Sequence, residues 1–234
     1  MKLIEKNITK TIEEMYLLET LNLNNKTILE LGCGAAAITK KVAQNGFNRK
    51  IIACEVDEVQ HKKNLELNIK NIEFKLSGAE DIKLEDNSVD FIMMFKSFHH
   101  IPINKMQKAL NEIQRVLKPN ALAYISEPLF SGDLSDLISM FHNEEYVREE
   151  TFKAIEKSVR NEQFKLFQEI FFQTPTSYEN FEDFKSKLID VSYNEHNFSK
   201  EFENKIKNKF NELSNNQKIT FQKPFRVDIL QNIK

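Results

Sequence analysis

Apolar residues along the chain gather in short runs that alternate with longer stretches of mixed polarity. In those longer stretches the apolar positions recur three or four residues apart, which is typical of helices with one buried face. Strands separated by helices of about 10–15 residues indicate a parallel, doubly wound sheet. The runs predict five strands, at about 27–31, 50–55, 72–76, 89–95 and 121–126.

The pattern changes after residue 130, where helical periodicity dominates. Two further strands are predicted, at about 164–172 and within 218–230, and Pro224 suggests an irregular or edge position in the second. Thr176 to Glu179 has the spacing of a capping box, which predicts the start of a helix. The expected helices lie at about 3–22 (one or two pieces), 35–45, 58–70, 103–117, 133–160 (one or two pieces), 178–190 and 199–213.

No internal repeat or low-complexity linker divides the chain, so the sequence predicts a single domain over residues 1–234. Its expected parts are N-terminal helices in 1–25, a nucleoside-binding core in 26–130, a helical cover with strand six in 131–215, and the last strand in 216–234.

The stretch from Thr27 to Glu55 is a strand, a glycine turn, a helix and a second strand that ends in an acid. Such a unit binds nucleosides, because the turn presents backbone N–H groups and a helix N-terminus to the ligand. Gly32 and Gly34 would let the backbone approach that ligand closely. Glu55, at the end of the second strand, is the candidate acceptor for ribose hydroxyl groups.

Glu30 helps to decide which nucleoside is bound. A dinucleotide site also needs a third small residue, and Ala37 could fill that place, so a nicotinamide cofactor remains an alternative. A carboxylate at the mouth of the turn would repel a pyrophosphate group but would suit an ammonium group. Glu30 therefore favours a nucleoside that carries an amino acid.

Several motifs resemble those of class I S-adenosylmethionine-dependent methyltransferases, in particular domains of types 11 and 25. Leu29 to Gly34 resembles their glycine motif, E/D-x-G-x-G. Further landmarks follow in the family's order through residue 130, with a weaker likeness in 164–230. They are Glu55 closing strand two, Ser77–Glu80 after strand three, Asn87–Phe91 entering strand four, Phe98–Ile101 after it, and Leu117–Leu122 leading into strand five.

The resemblance implies a Rossmann-like α/β fold with a seven-stranded sheet, mostly parallel with the last strand antiparallel. It also implies S-adenosyl-L-methionine as the cofactor. Gly78 departs from the family, which often has an adenine-binding Asp there, so backbone groups of the neighbouring residues would bracket the base. Lys96 could approach the cofactor's carboxylate, or its carbonyl could take the ammonium group. The candidate cofactor-binding residues are Glu30, Gly32, Cys33, Gly34, Glu55, Val56, Gly78, Ala79, Glu80 and Lys96.

Two residues are candidates for the chemistry itself. His100 could act as a general base toward an acidic acceptor proton, and Glu127 could orient the acceptor. His99 is interpreted as a packing residue and Asp57 as a helix cap. Asn120 replaces a family glycine and tolerates left-handed dihedral angles. No metal site is expected, because Cys33 and Cys54 lack zinc-ligand spacing and are interpreted as small buried hydrophobes.

Bulk properties limit the partners. The net charge of −2 over 234 residues disfavours an extended nucleic-acid surface, although it leaves room for a local basic patch. The chain has no run of about 18 apolar residues, so no membrane span is expected. The first residues lack a signal-peptide pattern, so a cytoplasmic monomer or homodimer is expected.

The predicted function is methyl transfer from S-adenosylmethionine to a small-molecule acceptor by in-line displacement. Three alternatives remain open. They are a methyltransferase that modifies tRNA or rRNA, a non-catalytic nucleoside-binding regulatory or scaffold protein, and a nicotinamide-dependent reductase.

Overall fold

The structure is a computed structural model that describes residues 1–190, 198–214 and 217–234. The predicted division between helical cover and last strand, at residues 215 and 216, lies outside the described residues. The strands are β1 (Thr27–Leu31), β2 (Lys50–Glu55), β3 (Ile72–Leu76), β4 (Val89–Phe95), β5 (Leu117–Pro128), β6 (Phe164–Tyr178) and β7 (Ile219–Asn232). The helices are α1 (Glu14–Glu19), α2 (Ala37–Gln44), α3 (Glu58–Leu65), α4 (Ile103–Val116), α5 (Asp133–Ser139), α6 (Glu145–Arg160), α7 (Phe181–Leu188) and α8 (Lys200–Ser214), with a short 3-10 turn at Phe98–His100.

The seven strands form one sheet in the order β3-β2-β1-β4-β5-β7-β6. The first five are joined in parallel, and β7 runs antiparallel to both of its neighbours. The predicted α/β fold, mostly parallel with an antiparallel last strand, is therefore confirmed. Because β1, β2 and β4 are parallel neighbours, their carboxyl ends meet at one edge of the sheet, where the order of the chain reverses.

Side chains alternate across the sheet and build a core on each face. Leu29 of β1 packs with residues of α4 and α6 on one face, whereas Ile28 packs with residues of α1 and α2 on the other. A third apolar cluster joins α5, α7 and α8 to one end of the β6–β7 pair, where these two strands extend beyond β5. The strands nearest the site are thus fixed from both sides.

The N-terminal segment is less helical than the one or two helices predicted over about residues 3–22. Residues 1–25 are all described, and α1 is the one helix they contain. Before it the backbone runs beside the edge strand β6, where the Gln173 N–H donates to the Lys10 carbonyl at 2.8 Å and the Ile12 N–H donates to the Gln173 carbonyl at 3.3 Å. The open edge of β6 thus supplies hydrogen bonds that compete with helix formation.

β7 is an interior strand, but at Pro224 it pairs with β6 alone, so the predicted irregular or edge position is confirmed locally. The pairing of β5 with β7 ends at Pro128 and Phe225, and β7 has a strand ladder on its β6 side alone at position 224. The missing N–H of Pro224 therefore costs no hydrogen bond to β5, while its carbonyl accepts from the Leu129 N–H at 2.9 Å.

The start of α7 also differs from the prediction. Thr176 belongs to β6, which continues to Tyr178. The cap is Asn180, whose side-chain oxygen accepts from the Asp183 N–H at 2.9 Å. Strand pairing with β7 carries the chain past the capping-box motif before the helix can begin. Within the described residues, no helix combines the length and the apolar character that a membrane crossing requires.

Candidate functional site

The glycine turn after β1 is held by backbone hydrogen bonds to β2. The N–H groups of Gly32 and Cys33 both donate to the Cys54 carbonyl, at 3.0 and 2.9 Å. Gly32 has a φ of +74°, and a Cβ placed there would lie 2.6 Å from the Cβ of Ser97. Glycine is therefore required at this position by backbone conformation and by the close approach of the loop after β4, as well as by any ligand.

Gly34 has a different surrounding. Its φ is +51°, and a Cβ placed there would have no described atom within 4 Å. Its N–H donates to a carboxylate oxygen of Glu55 at 2.7 Å, and its carbonyl accepts from the Asn64 side chain at 2.8 Å. The second glycine of the turn therefore faces open space beside the acid at the end of β2.

Glu55 is oriented entirely by backbone groups. Its other carboxylate oxygen accepts from the N–H groups of Val56 and Asp57, at 2.8 and 3.0 Å. Asp57 in turn caps α3 by accepting from two N–H groups of that helix, as predicted. A carboxylate fixed in this way keeps lone pairs for hydroxyl donors of a ligand.

Glu30 lies deeper than a residue at the mouth of the turn would. It is 2% exposed, and its carboxyl accepts from the Thr39 hydroxyl of α2 at 2.5 Å. Burial raises the pKa of Glu30 to about 8, and the nearby charge of Glu55 acts in the same direction. The acid therefore holds its proton over much of the neutral range unless a cation approaches it.

One cavity of about 610 Å³ opens along this edge of the sheet. Its lining contains every candidate cofactor-binding residue: Glu30, Gly32, Cys33, Gly34, Glu55, Val56, Gly78, Ala79, Glu80 and Lys96. His100 lines the same cavity, whereas Glu127 does not. The structure thus brings ten of the predicted positions and one of the two catalytic candidates to a single space.

Gly78 and Glu80 form the end of the cavity after β3. A Cβ at Gly78 would come within 2.5 Å of a Glu80 carboxylate oxygen. The other oxygen of Glu80 accepts from the Lys105 ammonium of α4 at 2.9 Å, and this hydrogen bond lowers the pKa of Glu80. The carboxylate of Glu80 therefore lies close to where a side chain at position 78 would be.

Lys96 follows β4 in an unusual backbone conformation. Its φ is +52°, which non-glycine residues seldom adopt, and its N–H donates to the Ser126 carbonyl at 2.8 Å. Its ammonium group lies 5.9 Å from the centre of the Phe225 ring. The loop after β4 thus places the Lys96 ammonium group near β7.

His99 and His100 play different parts in the 3-10 turn. His99 is buried, and its Nδ1 is hydrogen-bonded to Glu127, which also accepts from the Phe98 N–H at 2.8 Å. His100 is exposed to the cavity, and its ring centre lies 4.1 Å from that of His99. Partial burial and the neighbouring His99 lower the pKa of His100, so its imidazole is neutral and able to accept a proton at pH 7.

Glu127 is 3% exposed, and its carboxylate contacts the 3-10 turn that carries the two histidines. Its carboxylate fixes the orientation of His99 and satisfies the first N–H of the turn. The sequence suggests that Glu127 orients the acceptor and that His99 is a packing residue. In the structure the two residues form one hydrogen-bonded pair. Residues far apart in sequence gave no signal of this contact.

Three further residues support the site without having been predicted. Ser97 donates its hydroxyl hydrogen to the Leu31 carbonyl at 2.8 Å, Thr39 holds Glu30, and Asn64 holds the carbonyl of Gly34. Asn64 and Thr39 are fully buried polar residues on helices. A polar residue on the apolar face of a predicted helix was the one available signal.

One side-chain cluster among the described residues could hold a metal ion. Ligand atoms of His99, His100 and Glu144 all lie within 4.8 Å of one another. Glu144 is already paired with the Arg148 guanidinium, and its other oxygen lies 3.0 Å from Nε2 of His142. A cation entering this cluster would have to compete with Arg148.

The two cysteines are free and buried. Burial raises the pKa of both thiols, that of Cys54 to about 12. Both side chains are therefore protonated at neutral pH and pack as small apolar groups, as predicted.

Residues 29–125 match the protein family described as Methyltransferase domain. Together with the sheet order and the glycine turn, this match shows that residues 29–125 are similar to a methyltransferase domain of class I. The matched region contains the cofactor cavity and ends within β5.

Among similar proteins, a ubiquinone/menaquinone biosynthesis C-methyltransferase, UbiE, from Rickettsia prowazekii is 31% identical over 116 residues, which are 46% of this chain and 46% of that protein. Phosphoethanolamine N-methyltransferase 1 of Triticum aestivum is 32% identical over 127 residues, 51% of this chain and 25% of that protein. The chain thus spans about half, or less, of the length of these relatives.

The fold extends further than the sequence similarity. The crystal structure of the YcgJ protein from Bacillus subtilis superimposes with a TM-score of 0.68 at 17% identity, over 94% of this chain and 97% of that one. At this identity the likeness concerns the fold alone.

Proposed function

We propose that the protein is an S-adenosylmethionine-dependent methyltransferase that transfers a methyl group to a small-molecule acceptor by in-line displacement. The observation that carries the proposal is a cavity whose lining includes Gly34 and Glu55 together with Lys96 and His100. A nucleoside and an amino-acid tail need both pairs of residues at once.

The residues present fit this cofactor. Gly34 leaves open space where a side chain would stand, and Glu55 offers a fixed carboxylate to ribose hydroxyl groups. Glu30 would receive the ammonium group and would lose its proton as the cation approaches. S-adenosylmethionine, when bound, supplies an electrophilic methyl group on a sulfonium centre.

The protein's own contribution is alignment and the exclusion of water. Holding the acceptor in line with the methyl group can remove several kcal/mol of the barrier, on the order of what orientation supplies elsewhere. His100 faces the cavity with a neutral imidazole and would accept the proton of an acidic acceptor. Glu127 would act indirectly, because its carboxylate positions the turn that carries His100.

A small acceptor is favoured over a nucleic acid by the surface of the helical cover. Three lysines of α8 are paired with acids: Lys205 with Glu201, Lys207 with Glu182 and Lys209 with Glu212. A phosphate backbone would have to displace these partners. The names of the UbiE and phosphoethanolamine relatives also point to small acceptors.

Calorimetry with S-adenosylmethionine and with NADH tests the proposal. We expect the first to bind and the second not to. Glu55→Ala should weaken S-adenosylmethionine binding by about tenfold or more, because a charge-assisted hydrogen bond to ribose is lost. Glu58 is an exposed acid three residues further along the chain, so Glu58→Ala is the matched control and should bind S-adenosylmethionine as the wild type does. Binding of NADH alone would overturn the proposal, and unchanged affinity in Glu55→Ala would remove that residue from the site.

A further inference from the structure

Lys96, which lines the cofactor cavity, and Lys223, which lies outside its lining, both approach one aromatic ring. The ammonium groups of Lys96 and Lys223 lie 5.9 and 5.7 Å from the centre of the Phe225 ring. Phe172 stacks against the same ring with a centroid distance of 5.3 Å. The strand β7 therefore meets the loop after β4 where both ammonium groups lie near the Phe225 ring.

Neither lysine has a carboxylate partner within the part of the chain that the structure describes. No ion pair or hydrogen bond of the Lys96 or Lys223 ammonium occurs there, although most other charged groups of this region are paired. The acids nearby are already engaged, Glu127 by His99 and the Phe98 N–H, and Glu144 by Arg148.

A third acid of the region, Glu14, is engaged by a neighbouring hydroxyl group. The Tyr124 hydroxyl donates to its carboxyl oxygen at 3.4 Å. Burial raises the pKa of Glu14, and the charge of Lys96 opposes that shift. Glu14 makes no ion pair with Lys96 among the described residues.

Lys223 is surrounded by charges of both signs. Burial lowers its pKa to about 8, the charges of Lys96 and Arg148 lower it further, and those of Glu144 and Glu127 oppose the shift. Arg148 also keeps a buried guanidinium nitrogen, Nε, without a hydrogen-bond partner among the described atoms. Lys223 is partly removed from water without an ion-pair partner, which is unfavourable for a cation, so an anion held between it and the exposed Lys96 would stabilise it.

The backbone adds an independent observation. Lys96 is held at a φ of +52° in a conformation that most side chains avoid. Strained backbone of this sort is tolerated where it serves a site. Here it places a lysine, which lines the cofactor cavity, on the side that faces Lys223 and Phe225.

We propose that Lys96 and Lys223 bind an anionic group of the methyl acceptor, a carboxylate or a phosphate, beside the reacting end of the cavity. This inference rests on the proposed function and specifies its substrate class. Phe225 forms the apolar floor below the anion, and the two ammonium groups bind it from the loop after β4 and from β7. Lys96 can also serve the cofactor's carboxylate, whereas Lys223 lies outside the lining of the cofactor cavity and belongs to the acceptor alone.

The test titrates the ligand-free protein with sodium phosphate and, separately, with sodium acetate, and follows heat and melting temperature. We expect at least one anion to bind and to raise the melting temperature. Lys223→Gln should weaken that binding about fivefold or more, and it should melt no lower than the wild type in anion-free buffer, because it removes an unpaired cation. Lys218→Gln is the control, since that exposed lysine of the same region pairs with Glu179 and should not affect anion binding.

The two anions distinguish a phosphate acceptor from a carboxylate acceptor. Failure of both to bind the wild type, or equal binding in all three proteins, would overturn the inference. Binding of S-adenosylmethionine tests the proposed function separately from the anion site. Lys223→Gln should bind S-adenosylmethionine with wild-type affinity. If S-adenosylmethionine binds but methyl transfer in an acceptor screen is confined to neutral or cationic compounds, the anion site is wrong while the methyltransferase remains. If it does not bind at all, the methyltransferase proposal fails whatever the anions do.

Discussion

At the residue scale the site depends on two acids in contrasting surroundings. Glu55 accepts three backbone hydrogen bonds and is ready to bind hydroxyl groups. Glu30 is buried beside Thr39, with a raised pKa. One acid is fixed by donors and the other is held in a dry environment, so they suit different parts of a ligand, a ribose and an ammonium group.

Glu30 should make the ligand-free protein less stable as pH rises. Its pKa moves from an ordinary 4.5 to about 8 on folding, so the folded state binds a proton that the unfolded chain has lost between these values. The free energy of unfolding therefore falls as pH rises from 4.5 to about 8, and the penalty remains above that. Glu30→Gln removes the penalty and can keep the hydrogen bond from Thr39.

Denaturant titrations at pH 4.5 and pH 8 measure this effect. We expect Glu30→Gln to be more stable than the wild type by about 1–3 kcal/mol at pH 8 and nearly equal to it at pH 4.5. A variant that is less stable than the wild type at pH 8 would mean that Glu30 is charged and favourably bound in the free protein.

His100→Ala should reduce turnover more than cofactor affinity. His100 faces the cavity with a lowered pKa, whereas Glu55, the candidate acceptor for ribose hydroxyl groups, is carried by β2. The measurement compares kcat with the dissociation constant of S-adenosylmethionine, using an acceptor from the screen. Full activity in the variant would assign His100 to packing against His99, and an equal loss in both quantities would place it at the cofactor.

At the element scale, the long antiparallel pairing of β6 with β7 determines where α7 begins. This pairing continues beyond β5 and reaches Tyr178, so the chain passes the capping-box sequence as a strand. Asn180, just after the last strand pair, then caps α7. The sequence and the structure thus name different residues as the cap, and a mutation can decide between them.

Asn180→Ala should destabilise the protein by about 1 kcal/mol, the usual cost of losing a side-chain cap. Thr176→Ala is the matched comparison and should cost less, because its position lies inside β6. Thermal or chemical denaturation of the two variants gives the answer. A larger loss in Thr176→Ala than in Asn180→Ala would restore the sequence-based cap.

At the scale of the whole molecule, Arg226 joins three parts of the chain. Its side chain is 2% exposed, donates to Asp228 at 2.8 Å and to the Leu3 carbonyl at 3.3 Å, and lies 4.6 Å from the centre of the Phe152 ring. The N-terminal segment, α6 and β7 therefore meet at one buried ion pair. Burial raises the pKa of Asp228 to about 6 even with the guanidinium beside it.

Arg226→Met should destabilise the protein by about 3–5 kcal/mol, because it leaves the Asp228 carboxylate buried without its partner. The double variant Arg226→Met/Asp228→Leu should recover a large part of that loss, since no charge is then left unpaired. Chemical denaturation of the single and double variants measures both. If the two changes are additive, the pair is not coupled and Arg226 acts through its packing on Phe152.

The sequence predicted most boundaries in the parallel half of the molecule closely, although α3 ends at Leu65 instead of about residue 70 and β5 begins at Leu117 instead of about residue 121. That half is built from local strand–turn–helix units, and the ligand-facing residues sit at the ends of strands, where short motifs mark them. The acceptor side was harder to predict because it is made by long-range contacts. The pairing of His99 with Glu127, the approach of Lys96 to Lys223, and the course of the N-terminal segment along β6 all join positions that no local pattern relates.

The placement of β7 between β5 and β6 has a consequence for the order in which the molecule is assembled on the ribosome. The five parallel strands and the glycine turn lie in the first part of the chain and can pair as they emerge. The strand that carries Lys223, Phe225 and Arg226 is synthesised later and must enter between two strands already made. A nascent chain would thus complete the candidate nucleoside pocket first, and the strand with the proposed anion-binding Lys223 last.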